Sequence, residues 1–209
     1  MQKQVSPTEY RLQLRDRILK AATEEFFTRG IKAVKMDDIA NKLAVSKRTL
    51  YEIYTNKEEL LMETIVHHSE DFEREMLKFK GTELTVIDTL LHFYQLEIEE
   101  LSRISPLYFS DLHKYPKVLK WLKDKHDETL KYRYKFFQKG IEQGFFRSDL
   151  EYPLLAQLAD SSKTFIMKNK LYQKYSMVCI YRNVVLLYIR GLCTQKGIRI
   201  LDDALEKLP

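Results

Sequence analysis

Nowhere do the 209 residues approach the run of about 20 apolar side chains that spans a bilayer. The opening stretch, MQKQVSPTEYRLQ, lacks the apolar core of a signal peptide. A cytoplasmic protein that engages no membrane is therefore expected. Cysteine is scarce too, with only Cys179 and Cys193. On one continuous helix these stand about 21 Å apart along the axis, too far for a disulfide. Two buried, reduced thiols are expected. No Cys/His cluster has the spacing of a metal site. The adjacent His67 and His68 would diverge by about 100° on a helix and share a metal poorly. A glycine-rich phosphate loop, a Ser/His/Asp spacing and a metal ligand set are all missing. Hence no enzyme, no catalytic residue, no metal and no cofactor is expected. There is no long linker rich in Pro, Gly or Ser, no internal repeat, and no segment that alternates as a strand should.

What is there reads as helix. The chain is 44% hydrophobic and long enough for one or two small domains with a sizeable core. Ser6, Pro7, Thr8 and Glu9 make a capping box with Pro at the first helical position, opening a helix that runs to residue 29. Its apolar face carries Ile18, Ala21, Ala22, Phe26 and Phe27, and Gly30 ends it. Short helices over 36–43 and 47–54 follow. Thr55, Asn56, Lys57 and Glu58 read as a second capping box, starting a long helix that ends near residue 81. Leu61, Ile65, Phe72, Met76 and Phe79 form its stripe. Beyond it, helices are predicted over 85–103, from Pro106 to before Pro116, over 117–142, from Pro153 onward, over 175–195, and last a short one over 202–208.

The segment KMDDIANKLAVSKRTLYEIYTNK, residues 35–57, carries the most information. Asp37 and Asp38 sit where carboxylates suit the positive end of a helix dipole. Ile39, Ala40 and Leu43 give the first short helix a buried stripe. Ala44, Val45 and Ser46 are long enough only for a turn, and Ser46 is a good N-cap for the second helix. Leu50 points inward, while Lys47, Arg48, Thr49 and Tyr51 point out. A helix-turn-helix needs this layout, in which the second helix puts its N-terminal residues at base edges in the major groove. Charge points the same way. Residues 1–57 hold 12 Lys and Arg against 7 Asp and Glu, while residues 58–209 hold 23 of each. The whole net charge of +5 lies on the segment that would read DNA.

From about Leu12 to Leu61 the sequence resembles the DNA-binding region of the TetR (tetracycline repressor-like) family of bacterial regulators. The resemblance is carried in order by RDRILKAATEEFFTRG, MDDIANKLAVSKRTLYEIY and NKEELL. It implies an all-α fold: an N-terminal three-helix DNA-binding head with a helix-turn-helix core at 35–54, and a C-terminal helical-bundle body for effector binding and dimerisation. The expected domains are 1–60 and 61–209. It also implies that Thr49 and Tyr51 touch DNA and that Lys57 is a phosphate clamp backed by free helix N–H groups. Arg48 has the side chain best shaped for the two acceptors of guanine. Three departures stand out. The family usually has Gly at Ala44, where a left-handed residue would cost about 1 kcal/mol. It commonly has a capping Thr at Lys35, which can reach a phosphate but cannot cap. Ile53 replaces a DNA-contacting Tyr or His, and either touches a thymine methyl or packs. Tyr54 replaces a Phe and is expected in the core.

The helix through Val184, Leu187 and Tyr188 is apolar on nearly every face, so it must be buried on two sides. Either one chain covers it fully or a second copy covers one side. The resemblance favours a homodimer in which the last two long helices meet their mates. It further implies an interior cavity for a small, apolar or aromatic effector. Tyr94, His126, Tyr134 and Phe165 are the candidate lining, against the plainer reading of aromatic core and a satisfied histidine. The function expected is a ligand-responsive regulator of transcription, a repressor released from a palindromic double-stranded operator by its effector. The switch is expected to act through the long helix over 56–80. An effector-independent DNA-binding accessory protein and a small helical enzyme are the alternatives.

Overall fold

The computed structural model describes residues 7–79 and 84–206. These form ten α-helices: α1 (Pro7–Arg29), α2 (Met36–Lys42), α3 (Lys47–Ile53), α4 (Lys57–Lys78), α5 (Val86–Arg103), α6 (Pro106–Leu112), α7 (Pro116–Glu142), α8 (Tyr152–Lys168), α9 (Met177–Leu192) and α10 (Gln195–Leu205). Among the described residues the only extended pairing is a single antiparallel bridge between Phe146 and Cys193, so the fold is all-α. Two compact units divide the chain. One is Met1–Arg74 with Leu107–Leu119, and the other is Glu75–Pro106 with Lys120–Pro209. The sequence suggests a boundary at residue 60 and α4 as the one link. The first of the two units ends within α4 and takes in α6 and the start of α7. Ser6, the expected first cap, lies outside the described residues.

In the head, α1 buries Leu14, Ile18, Ala22 and Phe26, α2 buries Ile39 and Ala40, α3 buries Leu50, and α4 buries Leu60 and Leu61. Gly30 stops α1 in the left-handed region at φ +82°. The α2–α3 turn is a Schellman motif. The Val45 N–H donates to the Ala40 carbonyl at 3.0 Å and the Ala44 N–H to the Asn41 carbonyl at 3.1 Å. Ala44 therefore adopts φ +53°, and its methyl is strained as the sequence suggests. Ala44→Gly should stabilise the protein by up to about 1 kcal/mol, read as a raised thermal midpoint by circular dichroism; an unchanged or lower midpoint would show the turn tolerates the methyl. The cap of α4 is one residue later than expected. Asn56 Oδ1 accepts from the Glu59 N–H at 2.9 Å, and the Glu59 carboxylate accepts in return from the Thr55 N–H at 2.8 Å.

In the body, Thr85 and Asp88 form the capping box of α5. The core gathers Val86 and Ile87 from α5, Phe145 and Phe146 from the turn after α7, Tyr152, Ile189 and Leu192, Cys193, and Leu201 from α10. The Phe146 ring lies where any side chain at Gly140 would have to go, so glycine lets the turn fold onto α7. Two expectations need correction. The last helix begins at Gln195 rather than at residue 202, because Thr194 caps it by accepting from the Gly197 N–H at 3.2 Å. Only Cys193 is a buried thiol, pushed up to about 11 by burial, while Cys179 is exposed.

Candidate nucleic-acid interface

Helix α3 is built to present its first turn. Ser46 Oγ accepts from the Thr49 N–H at 3.0 Å and lies 2.7 Å from the Thr49 hydroxyl, which fixes where the helix starts. Leu50 is fully buried and anchors it from below. Lys47, Arg48 and Tyr51 are then left on the open side, with the Arg48 side chain 89% exposed. An α-helix about 10–12 Å across with its side chains suits a major groove about 12 Å wide. Lys35 is exposed at the entry to α2. Its backbone N–H donates to the Asp38 carboxylate at 3.0 Å and holds that carboxyl below its usual range. The other half of a capping box is not available, since an ammonium has no lone pair to give.

The cations on this face rest on nearby carboxylates. Lys47 pairs with Asp37, and Arg48 donates to Glu52 at 2.8 Å. These exposed pairs are weak, so phosphate or a base edge can displace the partners. Farther back, Lys42 bridges Glu24 and Glu25 of α1 at 2.7 and 2.8 Å, and Arg29 bridges Glu25 and Asp38 at 2.7 and 3.2 Å. These pairs link α2 to α1. Tyr54 is core, as expected, and its hydroxyl accepts from Arg15 Nε at 3.3 Å. Ile53 is half-buried and lines a shallow groove with Leu12, Arg15 and Tyr54.

Lys57, the expected phosphate clamp, is engaged inside the head in the DNA-free chain. Its ammonium donates to the carbonyls of Ile31 and Val34 at 2.8 and 2.9 Å, and burial lowers its pKa. Lys57 thus ties the α1–α2 connection from one side. From the other, the buried carboxylate of Asp111 in α6 accepts from the Lys32 N–H at 2.7 Å. The sequence gives no sign of Asp111, because its partner is 79 residues away.

The four candidate pocket residues do not converge. Tyr134 is 57% and Phe165 59% exposed, so neither lines an interior cavity of this chain. α7 is long enough to carry Tyr134 past the core that Phe136 and Phe137 enter. His126 is satisfied, with Nε2 2.9 Å from Asp160 and Nδ1 2.8 Å from Arg133. Only Tyr94 is inside, its ring 5.8 Å from that of Tyr181 on α9. On α9 itself, Val185 and Ile189 face the core, Val184 is half-buried, Tyr188 bonds Ser162 of α8 at 2.9 Å, and Leu187 is 73% exposed.

Residues 18–64 match the model of the bacterial regulatory proteins of the tetR family. These residues belong to the TetR family. Regulators of that family bind DNA as dimers and bind small-molecule ligands, and they are generally not enzymes. Solved structures of transcriptional regulators share the fold over most of the chain. A candidate transcriptional regulator from Saccharomonospora viridis, in complex with choline, is 18% identical, covers 88% of this chain and 100% of its own, and superposes with a TM-score of 0.69. A TetR-family regulator from Agrobacterium tumefaciens is 12% identical over 88% and 100%, with a TM-score of 0.67. The regulatory protein TetR from Rhodobacter sphaeroides is 16% identical over 85% and 97%, with a TM-score of 0.62. No curated protein matches the chain significantly. Among the described residues no three His, Cys, Asp or Glu could hold a metal, and no helix is long and apolar enough to cross a membrane.

Proposed function

We propose that this TetR-type chain is an effector-responsive repressor that binds a palindromic operator as a homodimer. The carrying observation is α3, capped by Ser46, anchored by Leu50, and open at Lys47, Arg48 and Tyr51. In this reading Arg48 reads a guanine, Lys47 and Tyr51 hold phosphates, Lys35 reaches a neighbouring phosphate, and Ser46 and Thr49 set the helix start. Thr49 also comes close to the backbone of the DNA. Lys57 acts on the loop behind the interface rather than on DNA directly. The choline bound to the Saccharomonospora viridis protein supports a small-molecule signal. That signal would enter the body and reach the head along the chain crossings in α4, at residue 106 and in α7.

Fluorescence anisotropy with the chain's own promoter region, against random duplex, tests this. Arg48→Ala should lose about 1–3 kcal/mol of discrimination between matched and mismatched sites with little loss on random DNA. Lys47→Ala should weaken both equally and flatten the salt dependence by about one unit. Equal losses on both duplexes for Arg48→Ala would remove it as a base reader. No salt-sensitive binding to any duplex would remove the whole reading.

A further inference from the structure

Arg48 and Glu52 stand one turn apart on the open face of α3, so their side chains meet. They touch at one point only, where Arg48 Nε donates to Glu52 Oε1 at 2.8 Å. Neither terminal nitrogen of Arg48 has a partner among the described residues, and the second Glu52 oxygen has none either. Other arginines are used differently. Arg147 closes on Asp149 with Nε and Nη2 together, at 3.0 and 2.7 Å. Arg29 gives Nη1 to Glu25 and Nη2 to Asp38. Arg48 keeps its whole outer fork free while its inner nitrogen is held. Stability does not explain the carboxylate. An exposed pair one turn apart adds little to a fold, and the Glu52 side chain makes no other hydrogen bond or ion pair among the described residues. Affinity does not explain it either, because a negative charge on a face that meets phosphates opposes binding.

We propose that Arg48 and Glu52 read DNA as one unit, in which Glu52 positions Arg48 for guanine and itself accepts from a cytosine in the adjoining base pair. The inference rests on the DNA-binding reading above and adds the base step that the site selects. Guanine offers two acceptors, O6 and N7, which Nη1 and Nη2 can take without releasing Nε. A base edge can displace Glu52, but guanine needs no nitrogen that Glu52 holds. Holding a long side chain in place beforehand removes rotamer freedom that binding would otherwise have to remove. The second Glu52 oxygen is left for the next base pair. Cytosine alone presents a donor and no acceptor in the major groove. A carboxylate therefore accepts from its N4 amine and is repelled by the acceptors on the other bases. Glu52 weakens binding to most sequences and is compensated at one, which is how a repulsive group produces selectivity.

Lys47, on the same turn, is the contrast. Its ammonium pairs with Asp37 of α2 rather than with a neighbour on α3. An ammonium is a point charge with no fork to orient, so a carboxylate beside it only has to be displaced when a phosphate arrives. The carboxylate beside Arg48 has a use that survives binding, because it fixes which nitrogens face the base. Ser46 and Leu50 hold the helix beneath both residues, so the pair is carried on a fixed element.

The test is selection by the full chain from a library of randomised duplexes, followed by anisotropy on the selected duplex and its single-pair variants. The wild type should select a guanine with a cytosine in the adjoining pair, and replacing that cytosine should cost it about 5- to 150-fold. Glu52→Ala should lose the cytosine preference, weaken the guanine preference, and bind random duplex as well as the wild type or better. Arg48→Ala with Glu52→Ala should lose no more at the guanine than Arg48→Ala alone. Glu52→Gln should move the preferred base from cytosine to adenine, whose amine and N7 match an amide. A merely structural role for Glu52 would produce no such exchange of bases. Thermal midpoints should match the wild type in each variant. A cytosine preference that survives Glu52→Ala, or equal losses on selected and random duplex, would overturn the proposal. A wild type that selects guanine with no preference beside it would overturn it too, and would leave the regulator reading standing. A wild type that enriches no duplex would overturn both.

Discussion

Leu187→Glu should turn a dimer into a monomer and lower operator affinity by about 1,000-fold, toward the level of non-specific binding. The residue sits mid-helix on α9 with 73% of its surface open. Its own chain gains almost nothing from the leucine, so the substitution should leave the monomer folded, within about 0.5 kcal/mol. The same position against a partner copy is another matter, because an unpaired carboxylate in an apolar contact is expensive. The exposure is not isolated. Leu154, Leu158 and Phe165 form an open apolar row along α8, at helical spacing. An open leucine on α9 beside an unburied apolar row on α8 suits a four-helix contact between copies. A single head covers too few base pairs for a specific site, so losing the partner should cost far more than losing one contact. Sedimentation and anisotropy read the two effects independently. A wild-type monomer at micromolar concentration, or a Leu187→Glu protein that still sediments as a dimer, would place the interface elsewhere.

Much of the head was legible in the sequence because its signals are local. Ser46 caps a helix three residues ahead, Leu50 anchors that helix, and Ala44 takes the left-handed turn that a Schellman motif demands. The helices of the body were legible from periodicity, but the partners of their faces were not. The stripe on α7 correctly contains Phe137 and Ile141, yet the same stripe takes Tyr134 into solvent. Periodicity reports that a helix has a face, not where the core beneath it ends. Phe165 fails for a related reason. Its row is apolar yet open in the single chain, which fits the proposed contact with a second copy better than an effector cavity. Lys57 and Asp111 were illegible in a stricter sense. Each is defined by backbone groups of the α1–α2 connection, 26 and 79 residues away, and backbone partners leave no mark on a sequence.

Gly30→Ala should destabilise the head by about 2–5 kcal/mol and undock α6. Two costs add. Alanine at φ +82° is in the left-handed region, worth about 1–2 kcal/mol. The new Cβ would also stand 2.7 Å from the Leu107 Cβ, an overlap that packed interiors relieve at about 1–3 kcal/mol. The position matters because the loop after Gly30 is clamped from both sides, by Lys57 on the Ile31 and Val34 carbonyls and by Asp111 on the Lys32 N–H. Leu107 and Asp111 belong to one short helix, so a shift forced at one loosens the other. The Lys32 amide proton is the direct reporter, since hydrogen exchange there measures docking of α6. Exchange should quicken in Gly30→Ala and in Asp111→Ala, and the second should keep the left-handed turn intact. Acid should act like Asp111→Ala. Burial pushes the Asp111 carboxyl up, but the Lys32 N–H and the Lys114 ammonium outweigh it and hold the group below its usual value. A carboxyl lowered in this way stabilises the docked state above the ordinary aspartate range. The stabilisation is lost as pH falls through the lowered value, so Lys32 protection should persist at pH 5 and fail only in stronger acid. Protection of Lys32 that survives Asp111→Ala unchanged would show that α6 does not hold the loop in solution, and α4 would be left as the path from body to head.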